Sequence, residues 1–446
     1  MSPTIAISLC CLFVLTLYFL NRGRDLRISS ALWVPVIWLS ICTSRMVSQW
    51  LVGFGKNENT VSGLEEGNSL DAAVFAFLLV VGLAVLLGRQ RRARVAAILR
   101  ANKPLILFML YCLVSVMWSD YPMVSFKRWT KALGDVTMVL IVLTDLDLGA
   151  SLSQFLVRPA FTLIPLSIVL IRYYPSLGRQ YSPWTGEVYN VGVATGKNSL
   201  GYVCLIFGLG CVWSLLDVLR AKESSRKAGS ITAQVATLVL TLWLFRMAHS
   251  ATSFACFMIG SGLIVATRLR WLIRKPALVS VMVGLLLSVV LYGLLIDPSV
   301  GLVEAVGRNA TLTGRIDIWK EVLPMTVNPL LGAGYESFWL GPRLEKIWSK
   351  EWDERPNQAH NGYLEVYLDL GWVGIALLGL LMAWGYRGIL RALHSSSAIG
   401  RLKLAFFPVA AIYNLTEHAF RELHPVWIIF LLAVMVIPDS LLQEVA

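Results

Sequence analysis

The chain has 446 residues, of which 57% are hydrophobic and only 15% are charged, and its mean hydropathy is +0.67. Soluble proteins contain about 45–50% apolar and about 25% charged residues, so a soluble globular enzyme, a disordered chain and a collagen-like fibre are excluded. The 39 basic and 27 acidic residues give a net charge of +12. The meaning of that charge depends on how it divides between the two faces of a membrane.

Apolar runs long enough to cross a membrane recur along the chain. A hydrocarbon core of about 30 Å needs about 20 helical residues. This length predicts an all-α polytopic membrane protein with 12 to 13 spans. The fifth run contains Lys131 and Asp135, and the twelfth is apolar only from Leu404 to Thr416, so both are weak. The runs lie near 4–20, 31–50, 72–88, 104–118, 130–144, 157–174, 197–219, 231–248, 252–267, 277–296, 360–386, 404–416 and 424–442.

Basic residues lie mainly in alternate connections between these runs. Arg22, Arg24 and Arg27 follow the first run and none precedes it, which favours a membrane helix with an outside N-terminus over a signal peptide. With that orientation, the inside connections hold 22 of the 39 basic residues and seven of the 27 acidic ones. The positive-inside rule then assigns this face to the cytoplasm. The net charge therefore indicates topology and contacts with anionic lipids rather than nucleic acid.

The longest connection, residues 297–359, is a predicted outside loop of 63 residues. Its many large apolar and aromatic residues predict folded structure. Arg315, Ile318, Trp319 and Val322 follow helical spacing, which predicts a short amphipathic helix after Thr313-Gly314. The chain thus divides into N-terminal transmembrane helices (1–296), a periplasmic loop (297–359) and C-terminal transmembrane helices (360–446).

His360 is the first candidate for chemistry, because it opens the eleventh run on the outside. A helix N-terminus disfavours the imidazolium form, so a neutral imidazole there can accept a proton. The same helix end offers free N–H groups to an anion. The alternative is an interfacial polar residue that only caps the helix.

Several cations from distant parts of the chain share the predicted outside face. Arginine offers bidentate contacts to phosphate and lysine a point charge, so a phosphate-bearing ligand is one interpretation. The other is that these side chains reach lipid headgroups. Arg315 fits the second interpretation least, because it lies inside the folded loop. The candidates are Arg315, Lys197, Arg172, Arg179 and Arg246.

Four aromatic residues are candidates for stacking on sugar rings. They are Trp319, Tyr335, Trp339 and Tyr363. Flat apolar faces with polar rims suit sugar rings, but an aromatic belt at the membrane interface has the same composition.

Other signals for chemistry are weaker. Arg45, Lys131 and Asp135 fall within apolar runs, where charges are costly and often functional, although Lys131 and Asp135 are spaced to pair with each other. All seven cysteines lie in apolar stretches and show no disulfide or zinc spacing. No metal-binding or nucleotide-binding motif occurs in the sequence, so no metal or cofactor is expected.

Short motifs occur in a fixed order along most of the chain, and the long loop lies between one that contains Arg315 and one that contains His360. Each is weak alone, and their order is the specific feature. They are Trp118-Ser119-Asp120-Tyr121-Pro122, Gly196-Lys197-Asn198, Ser250-Ala251-Thr252-Ser253, Thr313-Gly314-Arg315 with Trp319, Gly332-Ala333-Gly334-Tyr335, and Ala359-His360-Asn361-Gly362-Tyr363-Leu364 ahead of Gly371.

In these motifs the chain resembles the O-antigen ligase and O-antigen polymerase superfamily, and most of all its ExoQ-type exopolysaccharide polymerases. The resemblance implies a bacterial inner-membrane enzyme that transfers a glycan from undecaprenyl pyrophosphate to an acceptor sugar on the periplasmic face, without nucleotide or metal. It implies that His360 is a base or acceptor-orienting group, that Arg315 binds pyrophosphate, and that Lys197 is a basic position at the membrane edge.

One departure from the family bears on the reaction. Ligases of the superfamily often have arginine where this chain has Ala251, with Arg246 or His249 as the candidates to replace it. We therefore expect a polymerase of lipid-linked repeat units, served by a flippase and a chain-length regulator. The nearer alternative is a ligase that transfers finished glycan to lipid A core or another acceptor. The more distant alternative is a lipid-linked sugar flippase or another transporter.

Overall fold

Nearly all regular structure in the computed structural model is α-helical. The described residues are 1–22, 28–51, 67–181, 186–220, 227–273, 275–295, 312–350, 355–395, 397–438 and 440–441. Within them, the strands form one antiparallel pair, β1 (Arg179–Tyr181) and β2 (Val188–Asn190). Short 3₁₀ turns cover Ser30–Leu32, Val116–Trp118 and Leu323–Met325.

The described residues contain nineteen α-helices. They are α1 (Pro3–Leu20), α2 (Trp33–Cys42), α3 (Val47–Leu51), α4 (Ser69–Leu87), α5 (Arg89–Ala101), α6 (Lys103–Ser115), α7 (Pro122–Leu143), α8 (Leu148–Tyr173), α9 (Pro175–Gly178), α10 (Lys197–Arg220), α11 (Lys227–Ala248), α12 (Ala251–Ala266), α13 (Arg270–Ile273), α14 (Pro276–Leu295), α15 (Leu312–Val322), α16 (Gly341–Trp348), α17 (Gly362–Ser395), α18 (Ser397–Tyr413) and α19 (Pro425–Val434).

Every predicted apolar run contains a helix, and the all-α polytopic membrane fold is confirmed. Length and composition allow six described helices to cross a membrane alone, or seven if the bent pair α5 and α6 forms one span. The other runs are shorter or interrupted. The second breaks between α2 and α3, and α19 has only ten residues, about 15 Å at 1.5 Å per residue. Among the described residues, the number of helices long enough to span a membrane is therefore smaller than the number of predicted apolar runs.

Burial separates interior helices from peripheral ones. The most apolar window of α8 is 78% buried, whereas that of α1 is 17% buried and that of α4 is 22% buried. The exposed side chains of α1 and α4 are largely apolar, as expected for helices that face lipid. Helices α8, α10, α18 and α19 form the interior of the bundle.

Helix α17 breaks at Gly371, and part of the long loop docks into the break. Gly371 has φ +63°, and beyond it Trp372 N donates to Pro329 O at 2.9 Å. Before the break, Gly334 N donates to Asp369 O at 2.8 Å. Because these bonds fix the loop to α17, they also fix the loop relative to the start of that helix. The predicted amphipathic helix is confirmed as α15. Residues 297–311 and 351–354 of the loop lie outside the described residues, and the boundaries of the loop stay a prediction.

The connection between α18 and α19, residues 414–424, folds back over the start of α17. Gly362 N donates to Asn414 O at 2.8 Å and to Glu417 O at 3.1 Å. Ala419 N donates to Asn414 Oδ1 at 3.0 Å. This connection, called the 414–424 segment below, carries most of the polar groups of the candidate site.

Two of the three charges predicted within apolar runs, Asp135 and Arg45, have structural partners among the described residues. Asp135 is fully buried and accepts hydrogen bonds from Trp38 Nε1 at 2.8 Å and from Leu423 N at 2.9 Å. The suggested pair of Lys131 with Asp135 does not form among the described residues; Lys131 lines a cavity instead. Arg45 is buried and donates to backbone carbonyl groups. Asp135 and Arg45 therefore tie helices to connections.

Candidate functional site

Three side chains from distant parts of the chain meet at the carboxylate of Glu417. Arg315 Nη2 lies 3.2 Å from Glu417 Oε1, and Asn198 Nδ2 donates to the same oxygen at 3.1 Å. His360 Nδ1 lies 3.5 Å from Glu417 Oε2. The structure thus brings Arg315 and His360 together through a residue that the sequence analysis did not select. We call these four residues the Glu417 cluster.

His360 occupies a strained position at the entrance to α17. Its φ of +52° lies in the left-handed region, which non-glycine residues rarely adopt outside constrained or functional sites. Its side chain is 30% exposed, and that of Glu417 is 10% exposed. With the proton on Nδ1 pointing to Glu417, Nε2 of the neutral ring is left as an acceptor. A carboxylate that orients imidazole in this way prepares it to accept a proton.

Arg315 connects α15 to the 414–424 segment. It donates through Nη1 to Thr416 O and through Nη2 to Glu417, and its side chain is 14% exposed. These contacts use two of the five N–H donors of the guanidinium group. The salt bridge orients Arg315 and partly neutralises its charge. Together with the bond to Thr416, it holds α15 against the bundle.

The remaining predicted cations are arranged differently. Lys197 is exposed at the start of α10, 4.3 Å from the centre of the Tyr189 ring, and it is the chain neighbour of Asn198. Arg179 donates through Nε to the backbone at 3.0 Å. Arg172 and Arg246 are exposed at the ends of α8 and α11. Of these four, Lys197 alone is next in the chain to a member of the Glu417 cluster. The role of all four in binding pyrophosphate stays a prediction.

The four predicted sugar-stacking aromatics are all held by the protein. Trp319 donates through Nε1 to Ala359 O at 2.8 Å, directly before the catalytic candidate, and the Tyr363 hydroxyl donates to Ala411 O at 3.1 Å. Tyr335 is only 7% exposed, and Trp339 donates to a buried glutamate at 2.7 Å. Of the four, Trp339 lines a described cavity. Their contacts fix the loop and α17, and stacking on sugar stays a prediction.

A polar cavity of about 220 Å³ lies beside the Glu417 cluster. The 414–424 segment supplies three of its charged or titratable residues, and α7 and the loop supply others. The lining residues are Gly67, Val124, Lys127, Arg128, Lys131, Glu336, Trp339, Asn357, Asp369, His418, Arg421 and Glu422.

The sequence analysis missed the 414–424 segment. The signal was its density of titratable side chains between two apolar runs, namely Glu417, His418, Arg421, Glu422 and His424. No local spacing within the segment matches a known motif, because its partners lie far away in the chain. Only the fold shows that Glu417 and His418 contribute to neighbouring sites.

Burial shifts the pKa values of several groups around the cavity. Desolvation raises the pKa of Glu336 well above its usual value, and the nearby Glu422 raises it further. Desolvation also lowers the pKa of His418 well below its usual value, with Arg421 adding to the effect. The pKa of His424 falls to about 3 for the same two reasons. These histidines are therefore neutral near pH 7.

The described residues contain no group of three or more His, Cys, Asp or Glu side chains placed to hold a metal ion. The Glu417 cluster supplies one carboxylate and one imidazole, alongside a guanidinium and an amide. This combination can orient a base and contact an anion.

Comparison with known proteins identifies a family model that matches part of this chain. Residues 236–379 match the family model described as O-Antigen ligase. This match and the relatives below support a place for this chain in the O-antigen ligase and polymerase superfamily. The matched residues include Arg315, Trp319 and His360 but end before the 414–424 segment.

Individual relatives cover more of the chain. An exopolysaccharide production protein, ExoQ, from Rhizobium meliloti is 25% identical over 307 residues, which are 65% of this chain and 65% of that protein. A candidate polysaccharide ligase from Rickettsia typhi is 22% identical over 420 residues, covering 86% of this chain and 96% of the relative. A similar protein from Rickettsia felis is 22% identical over 416 residues, with the same coverage. Sequence similarity therefore extends beyond residues 236–379, to relatives named for production and for ligation of polysaccharide.

Proposed function

We propose that this protein joins undecaprenyl-pyrophosphate-linked oligosaccharide repeat units into exopolysaccharide or O-antigen, and that the Glu417 cluster is its catalytic centre. The observation that carries the proposal is the convergence of Arg315, His360 and Asn198 on one carboxylate. A proton acceptor and a guanidinium are thereby held side by side in a chain of this superfamily.

The proposed reaction is a direct glycosyl transfer. A hydroxyl oxygen of the acceptor sugar attacks the anomeric carbon of the donor glycan, and the bond from that carbon to the pyrophosphate oxygen breaks. The hydroxyl proton passes to Nε2 of His360, and undecaprenyl pyrophosphate leaves. A positioned base contributes about 10²–10⁴-fold to such a step, and Glu417 stabilises the imidazolium that forms.

The leaving pyrophosphate develops negative charge, which protein cations stabilise in this proposal. Arg315 retains donors beyond those used by Thr416 and Glu417, and Lys197 lies one residue from Asn198. One preorganised donor is worth about 3–4 kcal/mol in a comparable setting. Arg172, Arg179 and Arg246 are proposed to contact phosphates or lipid headgroups farther out. We therefore expect elongation to continue in EDTA.

Polymerisation is favoured over ligation on two grounds. Ala251 replaces the arginine that ligases of the superfamily often carry, and one relative is named for exopolysaccharide production. The Rickettsia relatives, named for ligation, support the alternative of transfer to lipid A core or another acceptor. A flippase is the more distant alternative.

The proposed setting is the bacterial inner membrane, with the Glu417 cluster facing the periplasm. The basis is the distribution of positive charge, which places the opposite face in the cytoplasm. Lipid-linked glycan reaches this face through a flippase, and a chain-length regulator of the same pathway is the proposed partner. Nucleic acid has no role in the proposal.

Purified protein in lipid nanodiscs, supplied with synthetic lipid-linked repeat units, tests the function directly. We expect stepwise elongation that persists in EDTA, and its loss in His360→Ala and Arg315→Ala proteins that still insert and purify normally. Transfer only to an added core acceptor would favour the ligase. Full elongation by either variant would remove that residue from the mechanism.

A further inference from the structure

The cavity beside the Glu417 cluster presents cations that form no hydrogen bond or salt bridge with other described residues. Lys127, Lys131 and Arg421 line it, and their side chains make no hydrogen bond or salt bridge with any residue in the described stretches. Lys127 and Arg421 are solvent-accessible residues, and the nearby Glu336 and Glu422 interact electrostatically with Arg421. With Arg128 also in the lining, this wall favours an anionic group.

The same cavity also contains buried groups that lack partners. His418 has a side chain only 4% exposed, and neither ring nitrogen has a hydrogen-bond partner among the described residues. Its nitrogens lie 3.7 Å from a Glu336 oxygen and 3.8 Å from a Glu365 oxygen, beyond hydrogen-bond distance. Glu422 Oε2 is likewise buried and unpartnered within the described residues. Buried polar groups are normally paired, so these atoms indicate a polar occupant.

The chemistry of the wall restricts the occupant. Glu422 needs a hydrogen-bond donor, which a fully ionised phosphate lacks and a sugar hydroxyl provides. Lys127, Lys131 and Arg421 need an acceptor, and a negative charge suits them best. A ligand that carries both hydroxyl groups and a carboxylate satisfies both requirements.

Charge and size agree with this ligand. The lining has four cationic side chains and three carboxyl groups, a formal excess of one positive charge that a single carboxylate balances. One buried water occupies about 10–15 Å³, so a cavity of about 220 Å³ accepts an object the size of a sugar ring.

We propose that this cavity binds an acidic sugar of the acceptor glycan, with its carboxylate toward Lys127, Lys131 and Arg421 and its hydroxyl groups toward His418 and Glu422. The inference rests on the proposed glycosyl transfer and names the substrate class. Glu417 and His418 are adjacent in the chain and serve neighbouring sites. An acceptor held by the cavity therefore lies beside the proposed base.

Binding of small probes by the purified protein tests the inference without requiring catalysis. Saturation-transfer NMR in nanodiscs compares methyl glucuronide, methyl glucoside and inorganic pyrophosphate. We expect methyl glucuronide to bind, and Lys127→Gln or Arg421→Gln to weaken its binding about tenfold or more, since each removes a charged hydrogen bond. The exposed Lys346→Gln variant on α16 is the matched control and should bind normally.

The outcomes separate the two proposals. Equal binding of methyl glucoside and methyl glucuronide, displacement of the sugar by pyrophosphate, or unchanged affinity in both cavity variants would overturn the acidic-sugar site. The Arg315→Gln protein should still bind methyl glucuronide while failing to elongate. Glucuronide binding by a wild-type protein that never elongates lipid-linked glycan would overturn the proposed function and leave the cavity assignment standing.

Discussion

Glu417 is the residue through which the candidate catalytic groups are connected. Glu417→Gln preserves the size of the side chain but removes the charge that orients His360 and stabilises its imidazolium form. We expect kcat for elongation to fall about 10²-fold or more, with no large change in melting temperature. The exposed Glu345→Gln on α16 is the matched control and should elongate normally. Elongation by Glu417→Gln within threefold of wild type would contradict the assignment.

Arg315 depends on the shape of its guanidinium group as well as on its charge. It contacts Thr416 O and Glu417 Oε1 through different nitrogens, which a single ammonium group cannot reproduce. Arg315→Lys should therefore reduce kcat for elongation at least about tenfold despite the retained charge. The exposed Arg355→Lys, which changes a guanidinium that lies against Trp348, serves as control. Normal elongation by Arg315→Lys would show that charge alone is sufficient.

His360 and Arg315 could be selected from sequence because each belongs to a motif of the superfamily and has a chemical rationale. Glu417 could not be selected, because its partners lie 57, 102 and 219 residues away and no spacing encodes those contacts. Tyr335 had the right residue type for sugar stacking, but residue type does not reveal its 7% exposure. The roles of Glu417 and Tyr335 thus depend on packing between distant parts of the chain, which local sequence patterns do not reveal.

The break in α17 positions the beginning of that helix, and Gly371 makes it possible. A Cβ atom at Gly371 would lie 2.3 Å from the Leu330 backbone, and its φ of +63° disfavours other residues. Its combination of positive φ with a ψ of −164° is essentially confined to glycine and costs other residues about 1–3 kcal/mol. Gly371→Ala should therefore lower the melting temperature in detergent and reduce elongation, since the docked loop must move.

Gly379→Ala in the same helix is the matched control for this change. A Cβ atom at Gly379 meets nothing within 4 Å, and alanine favours helix by up to about 1 kcal/mol over glycine. Gly379→Ala should be neutral or slightly stabilising. Equal melting temperatures for the two variants would refute the structural role of the break.

His424 caps α19 and should make the stability of the protein depend on pH. Its Nδ1 accepts a hydrogen bond from Val426 N at 3.2 Å, which requires the neutral ring. Its pKa is about 3 in the folded protein and about 6.5 when unfolded. The unfolded state therefore binds more protons in this range, and stability falls as pH decreases from about 6.5 toward 3, by up to about 1.4 kcal/mol per pH unit.

His424→Asn tests this linkage, because asparagine can cap a helix without titrating. Its melting temperature should fall less than that of wild type between pH 7 and pH 5, measured by thermal unfolding in detergent. Other titrating groups, including His418 and Glu336, are present in both proteins, so the difference isolates His424. Parallel pH profiles would contradict the role.

Hydropathy located the helices well because a membrane requires long apolar segments, but it could not locate their interruptions. The second run breaks near Arg45, whose guanidinium binds backbone carbonyl groups. The last run ends its helix at Val434. The hairpin β1–β2 was not predicted, since two strands of three residues have no detectable alternation. Interruptions of this kind are set by polar contacts between distant segments.

The whole bundle has two chemically different ends. At one end, the Glu417 cluster and the cavity combine acids, histidines and cations. At the other end, arginines of α5 bind the connection after α7, as in the 2.7 Å pair between Arg91 and Asp145. The sequence predicted these two different ends, because successive membrane helices reverse direction and the basic residues lie mainly in alternate connections. A transporter would instead need polar groups along a path through the bundle, so the concentration of polar chemistry at one end favours an enzyme.

The proposed topology places these two ends on opposite sides of the membrane, and cysteine labelling can test it. Lys346 is exposed on α16 toward the end with the Glu417 cluster, and Arg89 is exposed at the start of α5 at the basic end. Of the seven native cysteines, six are buried and Cys11 is exposed within apolar α1. A membrane-impermeant maleimide added to spheroplasts should therefore label Lys346→Cys but not Arg89→Cys, whereas permeabilised spheroplasts should label both. The expected pattern follows from the retention of positive charge on the cytoplasmic side. The reverse pattern would place the Glu417 cluster in the cytoplasm. A lipid-linked glycan would then have to react there before it was flipped.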